Sequence, residues 1–210
     1  IMDTDSVLRA KNLFRFTGPP EHWLTAVKYM TWGLEEHLRD KWLRIRPGDI
    51  FFIHSTRNSE FKNAKSGIIG LGIVGPDFSE KKNPLWFYEI ANHVNRWPLL
   101  VPLSEIYLFS ELPPPNLWGN PTPENLQQTE KLIDLLLRSY IPLSQIPGFP
   151  QMGSFSSVRP EVANKILFDK RSLYLYSENI EQEKLQESVG KINNEFVDRQ
   201  LDEIKSANEA

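Results

Sequence analysis

The glycines between residues 67 and 75 constrain the fold more than any other feature of the sequence. This segment reads Gly-Ile-Ile-Gly-Leu-Gly-Ile-Val-Gly and contains a literal G-x-G-x-x-G at Gly70, Gly72 and Gly75. In a dinucleotide-binding fold such glycines follow a strand and open a helix, whereas here β-branched residues stand between them and Pro76 follows the last one. We therefore predict a glycine-rich strand of a tightly curved barrel.

Hydrophobic periodicity predicts further strands and several helices. The predicted strands are residues 12–17, 50–54, 67–75 and 98–109, the last one bent at Pro102. Pro20 suits the first turn of a helix, and the amphipathic pattern continues to Trp42, with Gly33 as the place where the helix could break. Two more helices are predicted over residues 124–139 and 161–168. The fold class predicted from this order is α+β, a curved β-barrel flanked by helices.

Trp32 is the aromatic residue that the helical pattern does not explain. Trp23, Val27, Met30 and Leu34 recur at the spacing of one helical face and should pack inward, but Trp32 lies off that stripe. A large aromatic side chain beside a glycine can form one wall of a pocket. The alternative is that Trp32 packs under a loop, as most core aromatics do.

Composition excludes several classes of protein. The sequence contains no cysteine, so neither disulfides nor a thiolate zinc site can form, and this suits a reducing cytoplasm. Together with 16 prolines, the same absence would suit a heat-adapted source. No apolar run approaches a membrane span, and residues 1–9 lack the pattern of a signal peptide. We therefore expect a cytoplasmic protein without membrane contact.

Catalytic motifs are missing from the sequence. The four histidines are scattered, and there is no H-E-x-x-H, G-x-S-x-G or Walker loop. We therefore expect a binding domain rather than an enzyme, with no catalytic residues, no metal and no cofactor.

The charge distribution divides the chain. Basic residues outnumber acidic ones between residues 39 and 96, where aromatic residues are also frequent, whereas acidic residues dominate after residue 177. A basic, aromatic-rich surface is typical of nucleic-acid binding, although a solvated face can show the same balance. We predict a binding domain over residues 1–177 and an amphipathic linker helix over residues 178–210.

Residues 26–32, Ala-Val-Lys-Tyr-Met-Thr-Trp, resemble the Ser-Ile-Lys-Tyr-x-x-Trp segment of YTH domains. Gly48-Asp49 before an apolar strand, and residues 66–70 after it, are similar to signatures of EVE domains. The resemblance to this PUA-like YTH/EVE superfamily covers residues 12–110. The whole chain resembles the N-terminal specificity domains of archaeal McrB-type proteins, which belong to modification-dependent restriction systems.

The resemblance implies a reader of methylated double-stranded DNA that flips a modified base, most simply N6-methyladenine, into an aromatic cage. Trp32 would be the first wall and Trp86 the second, with Phe87 or Tyr88 in that role if the register shifts. The Gly33 carbonyl would accept the methylamino hydrogen. The positions nearest the base-reading side chain of the family hold Glu21 and His22, a departure from its Asp or Asn. In a full-length protein, the linker helix would lead to a hexameric AAA+ GTPase that works with a nuclease subunit.

Seven basic side chains are candidates for contact with the DNA backbone near the pocket mouth. They are Lys28, Arg57, Lys62, Lys65, Lys81, Lys82 and Arg96. Three alternatives stay open: a 5-methylcytosine reader, an RNA-binding PUA-like module, and a small-molecule or hydrolase member of the broader superfamily.

Overall fold

The computed structural model describes residues 12–167 and 171–177, which form an α+β fold. Its strands are β1 (Leu13–Gly18), β2 (Thr31–Leu34), β3 (Ile50–Ser55), β4 (Gly67–Val74), β5 (Ser79–Glu80), β6 (Leu99–Leu108), β7 (Phe155–Ser157) and β8 (Tyr174–Tyr176). Its α-helices are α1 (Pro20–Tyr29), α2 (Arg39–Trp42), α3 (Phe87–Asn92), α4 (Leu126–Leu136) and α5 (Pro160–Leu167). The linker helix predicted after residue 177 lies outside the described residues.

These eight strands form one curled mixed sheet, a half-barrel flanked by helices. The main path runs β2-β6-β4-β3-β1-β7, and β5 and β8 both pair with β6. Only β1 and β3 pair in parallel among these strands, with Leu13 beside Ile50. All four predicted strands are confirmed, and the glycine-rich segment is strand β4 rather than a nucleotide-binding turn.

The first helix ends earlier than its apolar pattern predicts. Helix α1 stops at Tyr29, and Met30 adopts the left-handed conformation, with a φ of 52°. The Met30 N–H donates to the Ala26 carbonyl, and the chain then enters strand β2. The prediction of a helix continuing to Trp42 is therefore wrong, and Trp32 lies on a strand. Met30 and Leu34 are nevertheless buried, as the stripe predicted.

Alternating side chains of the strands divide the interior into two apolar clusters. We call the first the tryptophan cluster; helices α1 and α4 pack onto it. Its members include Phe16, Trp23, Val27, Met30, Trp32, Trp42, Phe51, Ile53, Ile106, Leu108, Trp118 and Ile133. The second, the opposite cluster, is covered by helix α5. Its members include Leu13, Ile50, Phe52, Ile68, Leu71, Phe109, Phe149, Val162, Ala163 and Ile166.

The helices of the described residues are short. None of the helices within residues 12–167 and 171–177 combines the length and the apolar character that crossing a bilayer requires.

Candidate functional site

A cavity of about 470 Å³ opens beside the tryptophan cluster. Its lining comes from the end of β1, the first turn of α1, strand β2, the segments 56–60 and 86–97, and residues 153–154. All six residues assigned to the base by resemblance line it: Glu21, His22, Trp32, Gly33, Trp86 and Tyr88. The fold thus brings together residues that lie more than 60 positions apart in the chain.

Trp32 is both a core residue and a cavity wall. Its ring stacks on Trp23 at a centroid distance of 3.8 Å with the planes 5° apart, so one face is covered. Its side chain also lines the cavity. The two interpretations of the sequence, pocket wall and packed aromatic, therefore describe two parts of one side chain.

Trp86 lines the cavity although it is almost fully buried. The side chain is 1% exposed and its indole N–H donates to the His22 carbonyl. Its ring meets Trp32 at 6.0 Å and 72°, and Trp97 at 6.2 Å and 80°. Trp32 and Trp97 therefore each meet Trp86 in an edge-to-face arrangement, and all three side chains line the cavity.

Trp97 is a wall that the sequence did not identify. It is half-buried, lines the cavity, and contacts Tyr88 at 5.8 Å and His22 at 5.1 Å. The signal available was its place among the aromatics of residues 86–97, but its position just before β6 made it read as the start of a strand.

Hydrogen bonding separates the cavity walls from the packed tryptophans. The indole N–H groups of Trp23, Trp42, Trp86 and Trp118 each donate to a backbone carbonyl. Within the part of the chain that the structure describes, no acceptor contacts the indole N–H of Trp32 or Trp97. Buried indoles usually find an acceptor, so these two are the rings with a polar edge left for a ligand or water.

Gly33 allows the rings to approach the backbone of β2. A Cβ at this position would lie 2.7 Å from the far edge of the Trp86 ring and 2.7 Å from the Trp97 Cβ. Any side chain here would therefore push the two rings away. Glycine at residue 33 is a requirement of the cavity, independent of any role for its carbonyl.

One carboxylate positions both Trp86 and Trp97. Glu89 is fully buried on α3 and accepts the backbone N–H of Trp86 at 3.1 Å and that of Trp97 at 3.0 Å. It also pairs with the Lys81 ammonium at 2.5 Å, and Asn95 accepts a further hydrogen bond from that ammonium. Burial lowers the pKa of Lys81 from its usual value. This cluster, which the sequence did not predict, ties the two ends of the 81–97 segment together.

The polar side chains at the cavity start from the first turn of α1. Burial lowers the pKa of His22 to about 3, so its ring is neutral. Its Nε2 accepts the Tyr88 N–H at 3.3 Å, which places the proton on Nδ1. Glu21 accepts from the Ser59 hydroxyl at 2.6 Å and the Glu60 N–H at 3.3 Å, and burial raises the pKa of Glu21.

Two of the seven cations assigned to the DNA backbone are not available for it. The Lys28 ammonium is buried and donates to the carbonyls of Pro115 at 2.8 Å and Trp118 at 2.5 Å. Lys81 is buried in its pair with Glu89. Placing these two lysines at phosphates was wrong, because a run of sequence cannot show which carbonyl or carboxylate a lysine will meet.

The other five cations are exposed. They are Arg57, Lys62, Lys65, Lys82 and Arg96. Arg96 lies at the cavity, where its guanidinium covers the rings of Tyr88 and Trp97 at 5.1 Å each and donates to Glu35 at 2.9 Å. With Glu21, Glu35 and Glu60 also in the lining, the cavity itself is not basic. An uncharged group fits it better than a phosphate.

Among residues 12–167 and 171–177, no three His, Asp or Glu side chains come close enough together to hold a metal ion. Comparison of the sequence with protein-family models and with curated proteins finds no match.

Proposed function

We propose that the protein is a reader of methylated DNA, in which a flipped N6-methyladenine enters the cavity between Trp32 and Trp97. The observation that carries the proposal is that Trp32, Trp86, Trp97 and Gly33 line one cavity, with Trp86 in edge-to-face contact with the other two rings. Stacking of one base on aromatic side chains contributes about 1–3 kcal/mol, which offsets the few kcal/mol that unstacking the base costs.

The hydrogen-bonding groups of the cavity suit a methylated adenine. The Gly33 carbonyl would accept the single hydrogen of the methylamino group, as the resemblance to YTH domains implies. The neutral His22 ring offers one donor, and the carboxyl of Glu21 lies next to it in the lining. A pocket fitted to the methyl group discriminates against plain adenine by about 1–3 kcal/mol, whereas these polar contacts select adenine over the other bases.

The DNA backbone would remain outside the cavity. Three glutamates lie in the lining, whereas the exposed Arg57 lies within the segment 56–60 and the exposed Lys82 lies shortly before the segment 86–97. Such contacts set affinity and salt dependence rather than base identity. On this proposal the half-barrel is a PUA-like domain of YTH/EVE type, a binding module and not an enzyme. In a longer McrB-type protein it would deliver modified DNA to a GTPase motor and nuclease.

The test is equilibrium binding to four matched oligonucleotides. Duplexes carry one N6-methyladenine, one 5-methylcytosine or no modification, and the fourth probe is the unmodified sequence as RNA. We expect the N6-methyladenine duplex to bind tightest, with a preference over plain duplex of about tenfold or more, the discrimination that a pocket fitted to one extra methyl group provides. Tightest binding to the 5-methylcytosine duplex would reassign the base, and tightest binding to RNA would reassign the protein to RNA-binding modules. Binding to none of the four would refute the proposal.

A further inference from the structure

Met152 is the most exposed large hydrophobic side chain among the described residues. It is 87% exposed, and the next in order, Leu117, is 74% exposed. Met152 directly precedes Gly153 and Ser154, which line the cavity on the side of β1. An apolar side chain therefore stands free at the rim of the cavity into which the base is proposed to turn.

The backbone under Met152 is held by a buried guanidinium. Arg15 on β1 is fully buried, and its Nη2 donates to the carbonyls of Met152 at 2.5 Å and Gly153 at 2.9 Å. Nη2 and Nε also donate to the Ser156 hydroxyl at 2.7 and 2.9 Å, and Nη1 contacts the Nδ1 atom of His54 at 3.2 Å. Burying a charged group is costly unless its donors are satisfied, and here three acceptors come from residues 152–156, which we call the rim segment.

A second bond fixes the same segment from the other side. The Thr17 N–H at the end of β1 donates to the Ser154 carbonyl at 2.9 Å. Gly153 supplies the turn, with a φ of 83°, a backbone conformation that residues with a side chain rarely adopt. The rim segment is thus an ordered turn in which the carbonyls of Met152 and Gly153 point inward to Arg15, while the Met152 side chain is left outside.

Base flipping creates a need for such a side chain. When a nucleotide leaves the duplex, its neighbours lose a stacking partner, and DNA-binding proteins often insert an apolar side chain into a base step. Methionine is unbranched and polarizable, so it adapts to an irregular gap. We propose that Met152 enters the space vacated by the flipped base and stabilises the opened duplex. This inference rests on the proposed function of the cavity.

The test compares one methylated sequence as duplex and as single strand. The variants are Met152→Ala and Met152→Leu, with Leu117→Ala as the matched control, since Leu117 is exposed on the Pro115–Leu117 turn and does not line the cavity. We expect Met152→Ala to weaken duplex binding by about 10-fold to 100-fold, the equivalent of burying one methionine side chain. Single-strand binding should stay as in the wild type, because a single strand has no vacated stack. Met152→Leu should keep most of the duplex affinity, and Leu117→Ala should change neither.

Other outcomes overturn the inference in distinguishable ways. If Met152→Ala leaves duplex affinity unchanged while the wild type still prefers the methylated base, the wedge is wrong and the cavity proposal stands. Equal loss on duplex and single strand would make Met152 a contact of the base itself. A Met152→Leu variant as weak as Met152→Ala would exclude apolar filling. If the wild type shows no preference for methylated DNA in either form, the inference and the proposed function both fail.

Discussion

The two sides of the sheet are packed in different ways. The tryptophan cluster includes Trp23, Trp32, Trp42 and Trp118, and Trp86 contacts Trp32 directly. The opposite cluster is built from aliphatic side chains, phenylalanines and one tyrosine, and helix α5 closes it. Indole rings carry a polar N–H at one edge, whereas aliphatic side chains and phenylalanine rings carry no polar group. The cavity lies on the side that carries the indole rings.

The opposite side still contributes to the cavity through polar groups. Arg15 and His54 stand on β1 and β3 among the residues that face the opposite cluster, and the His54 ring contacts Phe149 there. Arg15 nevertheless holds the rim segment next to the cavity. The side of the tryptophan cluster therefore provides the cavity walls, and the opposite side holds the rim segment at the edge of the cavity.

The largest effect that we expect is that of acid, because each side buries a neutral histidine. Burial lowers the pKa of His22 to about 3, and burial with the nearby Arg15 lowers that of His54 to about 4. In the unfolded chain both protonate near pH 6.5, so the unfolded state binds more protons as the pH falls. The free energy of unfolding should fall by up to about 1.4 kcal/mol per pH unit for each histidine.

The useful window lies between pH 6.5 and about 4.5. Within this window the raised pKa of Glu21 works in the opposite direction from pH 4.5 upward, because the folded state takes up that proton at a higher pH than the unfolded chain does, but this contribution is common to all the proteins compared. The free energy of unfolding, measured in urea at several pH values across this window, should fall less steeply with decreasing pH in His22→Gln than in the wild type. In His22→Gln combined with His54→Gln it should fall less steeply again. A slope that is the same in all three proteins would show that neither histidine is the cause.

Removing Glu89 should damage the tryptophan side next most severely. Glu89→Ala leaves the Lys81 ammonium buried without its carboxylate, which typically costs about 3–5 kcal/mol. The backbone N–H groups of Trp86 and Trp97 also lose their acceptor. We expect a lower free energy of unfolding in urea and a lost preference for methylated DNA, while Glu130→Ala, an exposed glutamate on α4, should change neither.

A double variant separates the two roles of Glu89. Lys81→Met with Glu89→Met removes the unpaired charge and should recover most of the stability. The tryptophan backbones still lack an acceptor, so base preference should not return. Full recovery of the preference would mean that Glu89 contributes only to folding.

The sequence predicted the strands well because each one carries its own pattern. The buried strand β3 and the glycine-rich strand β4 are readable from consecutive residues. The end of α1 was not readable, because Met30 adopts the left-handed conformation without a glycine and the apolar stripe continues into β2. Resemblance located the residues around the cavity, but not which ring forms the second wall.

The errors at the site share one physical cause. Lys81 and Lys82 are adjacent in sequence and look like one basic patch, yet Lys81 is buried against Glu89 and Lys82 is exposed. Lys28 finds its acceptors near Trp118, 90 positions along the chain. Trp97 became a wall because Glu89 and Trp86 hold it there. Partners that are distant in sequence leave no local signal.

Trp97→Ala tests the cavity side with less disturbance than either of the other cavity tryptophans. Trp32 and Trp86 are nearly fully buried, so their loss would affect folding and binding together, whereas Trp97 is half-buried. We expect a loss of about 1–3 kcal/mol in binding to methylated duplex, with plain duplex little affected, because only the stacked base is lost.

Phe52→Ala in the opposite cluster should do the reverse. It should lower the free energy of unfolding by about 3–5 kcal/mol and keep the preference for the methylated base. Variants that behave alike would remove the distinction between the two sides.

The smallest effect should come from Lys82→Glu, outside both clusters. Lys82 is exposed next to the segment that carries Trp86, so its ammonium can meet a phosphate without supporting the fold. Loss of one such contact should reduce the slope of log affinity against log salt by about one and weaken methylated and plain duplex to the same degree. Lys131→Glu makes the same change of charge at an exposed position of α4 and should leave the slope near the wild-type value. If both reversals flatten the slope equally, the cause is net charge alone. If Lys82→Glu leaves the slope unchanged, the DNA backbone does not pass this edge of the cavity.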